Sequence, residues 1–358
     1  MATPHSFRRA AATVAVFVWL AACALLPAPD MSGFNPQPTA ASPLGCKLLK
    51  ASAYAYDVNN SGEIQPDTGI ATLLGEPGQA YGVSSRASGQ TDRDRDAVLM
   101  WLSGSELIIA FRGTLPFDSR AQQKLADQSL VLQDWLNDAD FTTQPDPQLG
   151  LVHRGFKDSF DNLWPGVVQQ IKAWQAAGKL GPNTKVYVTG HSKGGALAVL
   201  AALKLRVTGL LPVTEVITFA APRVGGEDFA ARYAAQHITD YRYENQNDLV
   251  PLVPLDKQEL QMLPLLESVL GMNAQQTGDY VSVGKLRYIT ADVSVIAPTD
   301  AATGAQLDQS RMQEFGALLL QDRGDAVATI INAHAIGDPG STDTSRYYRA
   351  VCGPQSGP

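Results

Sequence analysis

The sequence predicts an α/β fold in which a mainly parallel sheet is covered by helices on both faces. The first observation is an alternation of strand and helix patterns along residues 185–243. The pattern predicts a strand at 185–189, a helix over 196–203, a strand at 213–219, a helix at 227–236 and a strand at 238–243. Strands separated by helices in this way form parallel pairs, because each helix carries the chain back across the sheet.

A second observation extends this architecture toward the amino terminus. The sequence predicts a helix at 45–56, strands at 96–102 and 106–111 around a turn at 103–105, and a helix at 156–177. No internal repeat or Gly/Ser linker follows residue 45, so we expect one domain over residues 45–358 rather than two smaller ones. The net charge of -7 argues against a nucleic-acid partner, which a basic surface would favour.

The third observation is the turn that joins the strand at 185–189 to its helix. Residues 190–195 are Gly-His-Ser-Lys-Gly-Gly. A serine on such a sharp turn stands clear of the sheet, close to helix N–H groups that can stabilise an oxyanion. The flanking glycines leave room for the turn. We therefore expect Ser192 to be a nucleophile; the alternative is an ordinary turn whose serine caps the helix.

A nucleophilic serine needs a base and an acid, which in α/β-hydrolases follow it in the order acid, then histidine. His334 is the only histidine late in the chain. We expect it to be the base, the alternative being a core histidine. Asp248 follows the strand at 238–243 and is expected at the carboxyl edge of the sheet, as the acid. Asp240 and Asp279 compete for this role, and a simple turn residue is the alternative for Asp248.

Several further segments, in one consistent order, resemble the fungal-type (class 3) lipase family. They cover residues 45–350, nearly the whole chain after the amino-terminal region, and are specific when taken together. The matching segments are AFRGT at 110–114, DWLND at 134–138, VHRGF at 152–156, the serine turn at 189–198, TFAAPRVG at 218–225 and NDLVP at 247–251. The resemblance implies the α/β-hydrolase fold and a bacterial lipoprotein-like member of the family.

The resemblance also implies supporting roles. The backbone N–H groups of Thr114 and Lys193 would form an oxyanion hole, Asp138 would orient the Thr114 loop, and His153 would be structural. Lys193 departs from the family, which usually has Leu there. A cation in the first turn opposes the helix dipole, so we expect this lysine to pair with a carboxylate or to reach solvent.

The amino-terminal region has the pattern of a targeting segment. Two arginines precede an uncharged run at 10–26, which is shorter than the roughly 20 residues needed to span a bilayer. We expect residues 1–22 to be a lipoprotein-type signal peptide. The segment Leu-Ala-Ala-Cys at 20–23 resembles a bacterial lipobox, so Cys23 would be lipidated, and the Pro-rich residues 23–44 would form a tether. The alternatives are a simple signal peptide and a retained anchor.

The other two cysteines, Cys46 and Cys352, flank the predicted domain. An oxidising compartment would allow them to pair and to join the two ends of the domain. The alternative is a pair of separate, small hydrophobic residues.

Three segments have open interpretations. Residues 57–64 resemble the start of an EF-hand loop, but Thr68 stands where a ligating Glu is needed, so a surface turn is favoured over calcium and no metal is expected. Residues 115–132 lie where related lipases carry a lid, the alternative being a surface loop. The apolar segment 252–272 predicts a core helix or a wall of an acyl groove.

These observations predict an enzyme that hydrolyses carboxylic esters of lipids through an acyl-serine, without a cofactor. The expected partners are a lipid or ester substrate and a membrane surface, reached through the lipid anchor in the cell envelope. A phospholipase A1-type or small-ester activity is the alternative among enzymes. A non-catalytic envelope lipoprotein that keeps the fold for binding is the alternative from another class.

Overall fold

A computed structural model describes residues 42–59, 61–64, 77–85, 96–114, 141–256, 259, 280–320, 323–336 and 345–353. Several predictions lie outside these residues: the leader at 1–22, lipidation of Cys23, the role of Asp138, the segment 115–132 and most of the segment 252–272.

Within the residues that the structure describes, the main sheet has eight strands. In chain order they are β1 (Gln79–Ser85), β2 (Asp96–Ser103), β3 (Glu106–Phe111), β6 (Lys185–His191), β7 (Val213–Phe219), β9 (Thr239–Asn245), β11 (Lys285–Ile289) and β12 (Val295–Ile296). Their spatial order is β1-β2-β3-β6-β7-β9-β11-β12. The five strands from β3 to β11 are parallel, and both margins are antiparallel. The predicted mainly parallel sheet is confirmed.

A second, antiparallel sheet has the order β10-β8-β5-β4. Its strands are β4 (Thr143–Asp146), β5 (Gly150–His153), β8 (Gly225–Gly226) and β10 (Tyr280–Val281). The sequence patterns did not predict this sheet, because its strands are two to four residues long and one of them is Gly-Gly.

Helices cover both faces of the main sheet. They are α1 (Pro43–Tyr54), α2 (Arg154–Ala176), α3 (Lys193–Thr208), α4 (Glu227–Ala234), α5 (Ala301–Leu319), α6 (Arg323–His334) and α7 (Arg346–Cys352). Short 3₁₀ turns occupy Ala55–Asp57 and Val250–Leu252. Within the described ranges, no helix is both long and apolar enough to cross a bilayer.

Two apolar cores lie on opposite faces of the sheet, and strand β2 shows how they arise. Its residues Val98, Met100 and Leu102 pack with α2 and α3, whereas Leu99 and Trp101 pack with α1 and α7. The strand is apolar on both faces because both faces are covered. Helix α3 is apolar almost all round, as expected for the central helix of the first core.

The first helix begins two residues earlier than predicted, so Pro43 and Leu44, which the prediction assigned to the tether, are helical. Ser42 caps the helix, since its Oγ accepts the N–H of Gly45 at 3.0 Å. Pro43 is tolerated in the first turn because its missing N–H would have no partner inside the helix.

A disulfide joins α1 to α7. The Sγ atoms of Cys46 and Cys352 are 2.06 Å apart, and 306 residues separate them in sequence. The bond therefore ties together the two ends of the described domain.

Candidate active site

Ser192 lies on a strained turn between β6 and α3. Its backbone has φ 57° and ψ -135°, a conformation rare for a residue with a side chain. The N–H of Ser192 donates to the carbonyl of Phe219 at 3.0 Å, and the carbonyl of Ser192 accepts the N–H of Gly195 at 2.8 Å. These bonds hold the serine at the carboxyl edge of the sheet, facing the start of the helix.

The glycines of the turn are required by close backbone contacts. A Cβ on Gly190 would lie 2.2 Å from the carbonyl oxygen of Gly194, and a Cβ on Gly194 would lie 2.1 Å from that of Phe111. Both distances are far below van der Waals contact. Glycine at these positions lets β6, the start of α3 and the end of β3 pack against one another.

The end of β3 packs directly against the serine turn. A Cβ on Gly113 would lie 2.8 Å from the carbonyl oxygen of His191 and 3.2 Å from the Cβ of Ser192. Thr114, the next residue, is exposed. The backbone before Thr114 and the first residue of α3, Lys193, thus approach the serine from two sides.

His334 and Asp248 are in contact. His334 Nδ1 lies 3.0 Å and 3.1 Å from the two carboxylate oxygens of Asp248. Asp248 is fully buried at its side chain, whereas 18% of the histidine side chain is exposed. The carboxylate can only accept, so Nδ1 carries a proton and Nε2 is left as the basic nitrogen. The His334 ring lies 4.7 Å from the ring of His191, the residue before Ser192.

Among the described residues, two further donors contact the carboxylate of Asp248. Tyr347 Oη donates to Oδ2 at 2.9 Å, and the N–H of Val250 donates to Oδ1 at 3.0 Å. Tyr347 in turn accepts the N–H of Asn245 at 3.1 Å, and the Asn245 amide donates to the carbonyl of Ala333 at 2.7 Å. Helix α7 therefore supports the acid, and β9 supports the backbone next to His334. No sequence pattern pointed to Tyr347 as a residue of the site.

His191 links the serine turn to the base. Its Nε2 lies 2.9 Å from the carbonyl oxygen of His334, which can only accept, so Nε2 carries the proton. Its Nδ1 then accepts the hydroxyl of Tyr56 at 2.9 Å. Burial keeps the pKa of His191 well below its ordinary value, so the ring is neutral. Tyr56 is a second residue that sequence reasoning missed.

His153 has the contacts of a structural residue. It caps α2 by accepting the N–H of Phe156 at 3.3 Å, and the two rings stack at 4.1 Å. Burial, assisted by the positive charge of Lys193, lowers the pKa of His153 to about 4.

Lys193 pairs with a carboxylate, which is one of the two arrangements predicted for it. Its Nζ lies 2.7 Å from Asp96 Oδ1, at the start of β2. Asp96 was predicted only as the first residue of a strand.

Of the two competing acids, Asp240 lies within the described residues, and it does not occupy the place of Asp248. Asp240 lies near the amino end of β9, where it accepts the hydroxyl of Tyr233 at 2.7 Å. Active sites of parallel sheets form at the opposite, carboxyl edge. Asp279 lies outside the described residues.

The sequence matches known proteins over its central part. The class 3 lipase family model matches residues 109–258. Secreted mono- and diacylglycerol lipase A of Penicillium cyclopium is 32% identical over 155 residues, which cover 43% of this chain and 44% of that protein. A lipase of Rhizomucor miehei is 33% identical over 166 residues, covering 41% of this chain and 44% of that protein. The chain thus spans less than half the length of these relatives.

Solved lipase structures are similar in fold over a larger part of this chain than the sequence matches cover. A deletion mutant of Rhizomucor miehei lipase in a propeptide complex aligns with a TM-score of 0.51 and 20% identity, over 77% of this chain and 84% of that one. Lipase II from Rhizopus niveus aligns with a TM-score of 0.50 and 21% identity, over 72% and 83%. The class 3 lipase family model thus matches the part of the chain that carries the serine turn and Asp248, and the aligned structures show that the chain has the α/β-hydrolase fold.

Proposed function

We propose that this protein hydrolyses carboxylic esters of lipids through an acyl-enzyme on Ser192. The observation that carries the proposal is the contact of His334 with both oxygens of Asp248. The His334 ring lies 4.7 Å from that of His191, the residue before a serine held on a strained strand-to-helix turn. This is the arrangement by which a weak serine nucleophile is activated.

The proposed reaction has two halves. Ser192 Oγ attacks the ester carbonyl carbon while His334 Nε2 accepts its proton, and the backbone N–H groups of Thr114 and Lys193 stabilise the oxyanion. The tetrahedral intermediate then expels the alcohol, which takes the proton from His334. Water attacks the acyl-serine with His334 again as the base, releasing the acid and the free serine. Asp248 holds the Nδ1–H and stabilises the imidazolium.

The relatives support a lipid substrate. The matched proteins include secreted mono- and diacylglycerol lipases of Penicillium cyclopium and Fusarium solani. We propose acylglycerols as the substrate class. The panel that tests this class comprises emulsified mono-, di- and triacylglycerols, phosphatidylcholine vesicles and a soluble p-nitrophenyl butyrate. Faster turnover of phosphatidylcholine than of any acylglycerol would instead support the phospholipase A1-type alternative.

We further propose an exported catalytic domain anchored at the bacterial envelope. Residues 1–22 would be the signal peptide, Cys23 the lipidated first residue, and the segment up to Ser42 a tether for the domain that follows. Asp138 would support the Thr114 loop, and residues 115–132 would form a lid. The intact mass of the mature protein tests the anchor, because an unmodified Cys23 or another amino terminus would contradict it.

The catalytic proposal is tested by Ser192→Ala. Hydrolysis of p-nitrophenyl butyrate should fall by about 10⁵-fold or more, with unchanged circular dichroism, because the nucleophile is lost. Ser61→Ala, at an exposed turn serine, is the matched control and should keep full activity. Comparable turnover by purified Ser192→Ala would overturn the assignment.

A further inference from the structure

Asp96 lies at the edge of the sheet where Ser192 stands. It is the first residue of β2, which runs antiparallel to β3, so it lies beside the carboxyl end of β3. The N–H of Arg112 donates to the carbonyl of Ala97 at 2.9 Å, which ties the strand end just before Thr114 to the residue that follows Asp96. The side chain of Asp96 is only 5% exposed. A buried carboxylate at this edge needs a cation or hydrogen bonds to offset its desolvation.

The cation is Lys193, the residue that follows the nucleophile. Its Nζ lies 2.7 Å from Asp96 Oδ1, and its side chain is 18% exposed. Lys193 is the first residue of α3, where free N–H groups make a positive charge unfavourable. The carboxylate of Asp96 neutralises that charge and gives the side chain a fixed position.

A second cation lies near the same carboxylate. Arg112 is buried and donates to the carbonyl of Val58 at 2.6 Å. Burial lowers the pKa of this guanidinium, and the negative charge of Asp96 opposes the shift. The negative charge of Asp96 thus pairs with Lys193 at the start of α3 and acts on Arg112 just after β3, the two segments that approach the serine.

We propose that Asp96 and Lys193 form an ionic clasp that positions the two backbone donors of the oxyanion hole; this inference rests on the proposed function. One donor, Thr114, follows Arg112 by two residues, and the other is Lys193 itself. The clasp connects them through the Asp96–Lys193 ion pair and the backbone hydrogen bond from Arg112 to Ala97. Asp96 is therefore a positioning residue, since it acts through the backbone at 112–114 and at 193 without contacting substrate.

The clasp explains why a lysine is accommodated here. The carboxylate of Asp96 offsets the charge of Lys193, so the pair adds no net charge to the start of α3. Lys193→Met would leave a buried carboxylate near the developing oxyanion, and like charges repel. Asp96→Asn would leave the ammonium without its anchor at the first turn of α3. The first change should therefore cost more than the second.

The test is a double-mutant cycle on kcat for p-nitrophenyl butyrate, normalised to active sites titrated with a fluorophosphonate. We expect kcat to fall about 30-fold in Lys193→Met and about 5-fold in Asp96→Asn, with KM changing less than 3-fold, because one oxyanion donor is displaced and not removed. The kcat of the double variant should be no lower than that of Lys193→Met. The kcat of Lys193→Arg should be close to that of the wild type.

A matched ion pair serves as control. Lys47 and Glu106 join α1 to the opposite, amino end of β3, with Nζ 2.5 Å from Oε2. Lys47→Met and Glu106→Gln should change stability without changing kcat. If the losses of kcat in the Asp96 and Lys193 variants multiply in the double variant, the two residues act independently and the clasp is overturned. A change in unfolding temperature with no change in kcat would overturn it too. Either result would leave the proposed function intact. Absence of ester turnover by the wild-type protein would overturn both.

Discussion

The two halves of the candidate active site are built in different ways. The serine side is local: Gly190, Ser192 and Gly194 lie within five residues, and the turn's conformation follows from backbone contacts with the ends of neighbouring strands. The acid–base side is assembled over long distances. Asp248 bonds to His334 across 86 residues and to Tyr347 across 99 residues.

The difference has a structural consequence. The serine turn is held by the central strand β6 and the buried helix α3, which belong to the core of the domain. The base and the supporting tyrosine lie on helices α6 and α7 near the end of the chain, and α7 is tied to α1 by the disulfide. We therefore expect the acid–base side to fail first when the fold is weakened.

The largest expected effects come from breaking the acid–base side outright. His334→Ala should lower kcat/KM by about 10⁵-fold, and Asp248→Asn by about 10⁴-fold, because the acid orients and stabilises the imidazolium but takes no proton. Steady-state kinetics on a soluble ester, with folding checked by circular dichroism, measures both. His237→Ala, at a histidine outside the site, is the control. Equal activity of His334→Ala and the wild type would show that the contact with Asp248 is only structural.

A smaller loss of kcat should follow when the hydrogen bond that Tyr347 donates to Asp248 is removed. Tyr347→Phe removes the hydroxyl that donates to Asp248 and accepts from Asn245. We expect kcat to fall about 10-fold with little change in KM, since one charge-assisted hydrogen bond is lost. Tyr348→Phe, one residue further along the same helix, should leave kcat unchanged. Equal losses in the two variants would contradict a role specific to Tyr347.

Removing the disulfide tests whether the terminal helices act on the acid–base side. Cys46→Ser combined with Cys352→Ser should lower the free energy of unfolding by about 2–4 kcal/mol, because the long loop is no longer closed. It should also lower kcat by about 3-fold, because α7, which carries Tyr347, is held less firmly. Calorimetry and kinetics on the same preparation measure both quantities. Full activity together with reduced stability would show that α7 keeps its position without the bond.

Asp240→Asn separates stability from catalysis within strand β9. Burial raises the pKa of Asp240 to about 6; the Tyr233 hydrogen bond and the Arg242 charge oppose this shift, and the Glu215 charge adds to it. A carboxyl whose pKa is higher in the folded state stabilises the fold at low pH, and this stability is lost as pH rises from about 4 to about 6. The variant should therefore be more stable than wild type above pH 6, by roughly 3 kcal/mol, with unchanged kcat. Urea unfolding at pH 4 and pH 7 measures this; an equal gain at both values would contradict it.

The contrast between the two sides also explains what could be predicted from sequence. The serine turn is encoded by neighbouring residues, so its pattern is visible in the chain. Asp248 and His334 could be selected as candidates from strand position and chain order, and the structure brings them together. Tyr347, Tyr56 and Asp96 could not, because their contacts depend on how α7, the 3₁₀ turn after α1 and β2 pack in three dimensions. The small second sheet was missed because its strands are too short to show a period.

The central claim is that Ser192 is a nucleophile activated by His334. Labelling with a fluorophosphonate, followed by peptide mass mapping, tests it most directly, because such probes react with an activated serine and leave a covalent phosphonyl group. We predict one label per molecule, located on Ser192, with the labelling rate strongly reduced in His334→Ala. Absence of labelling in the folded wild-type protein, or a label on another serine, would contradict the account.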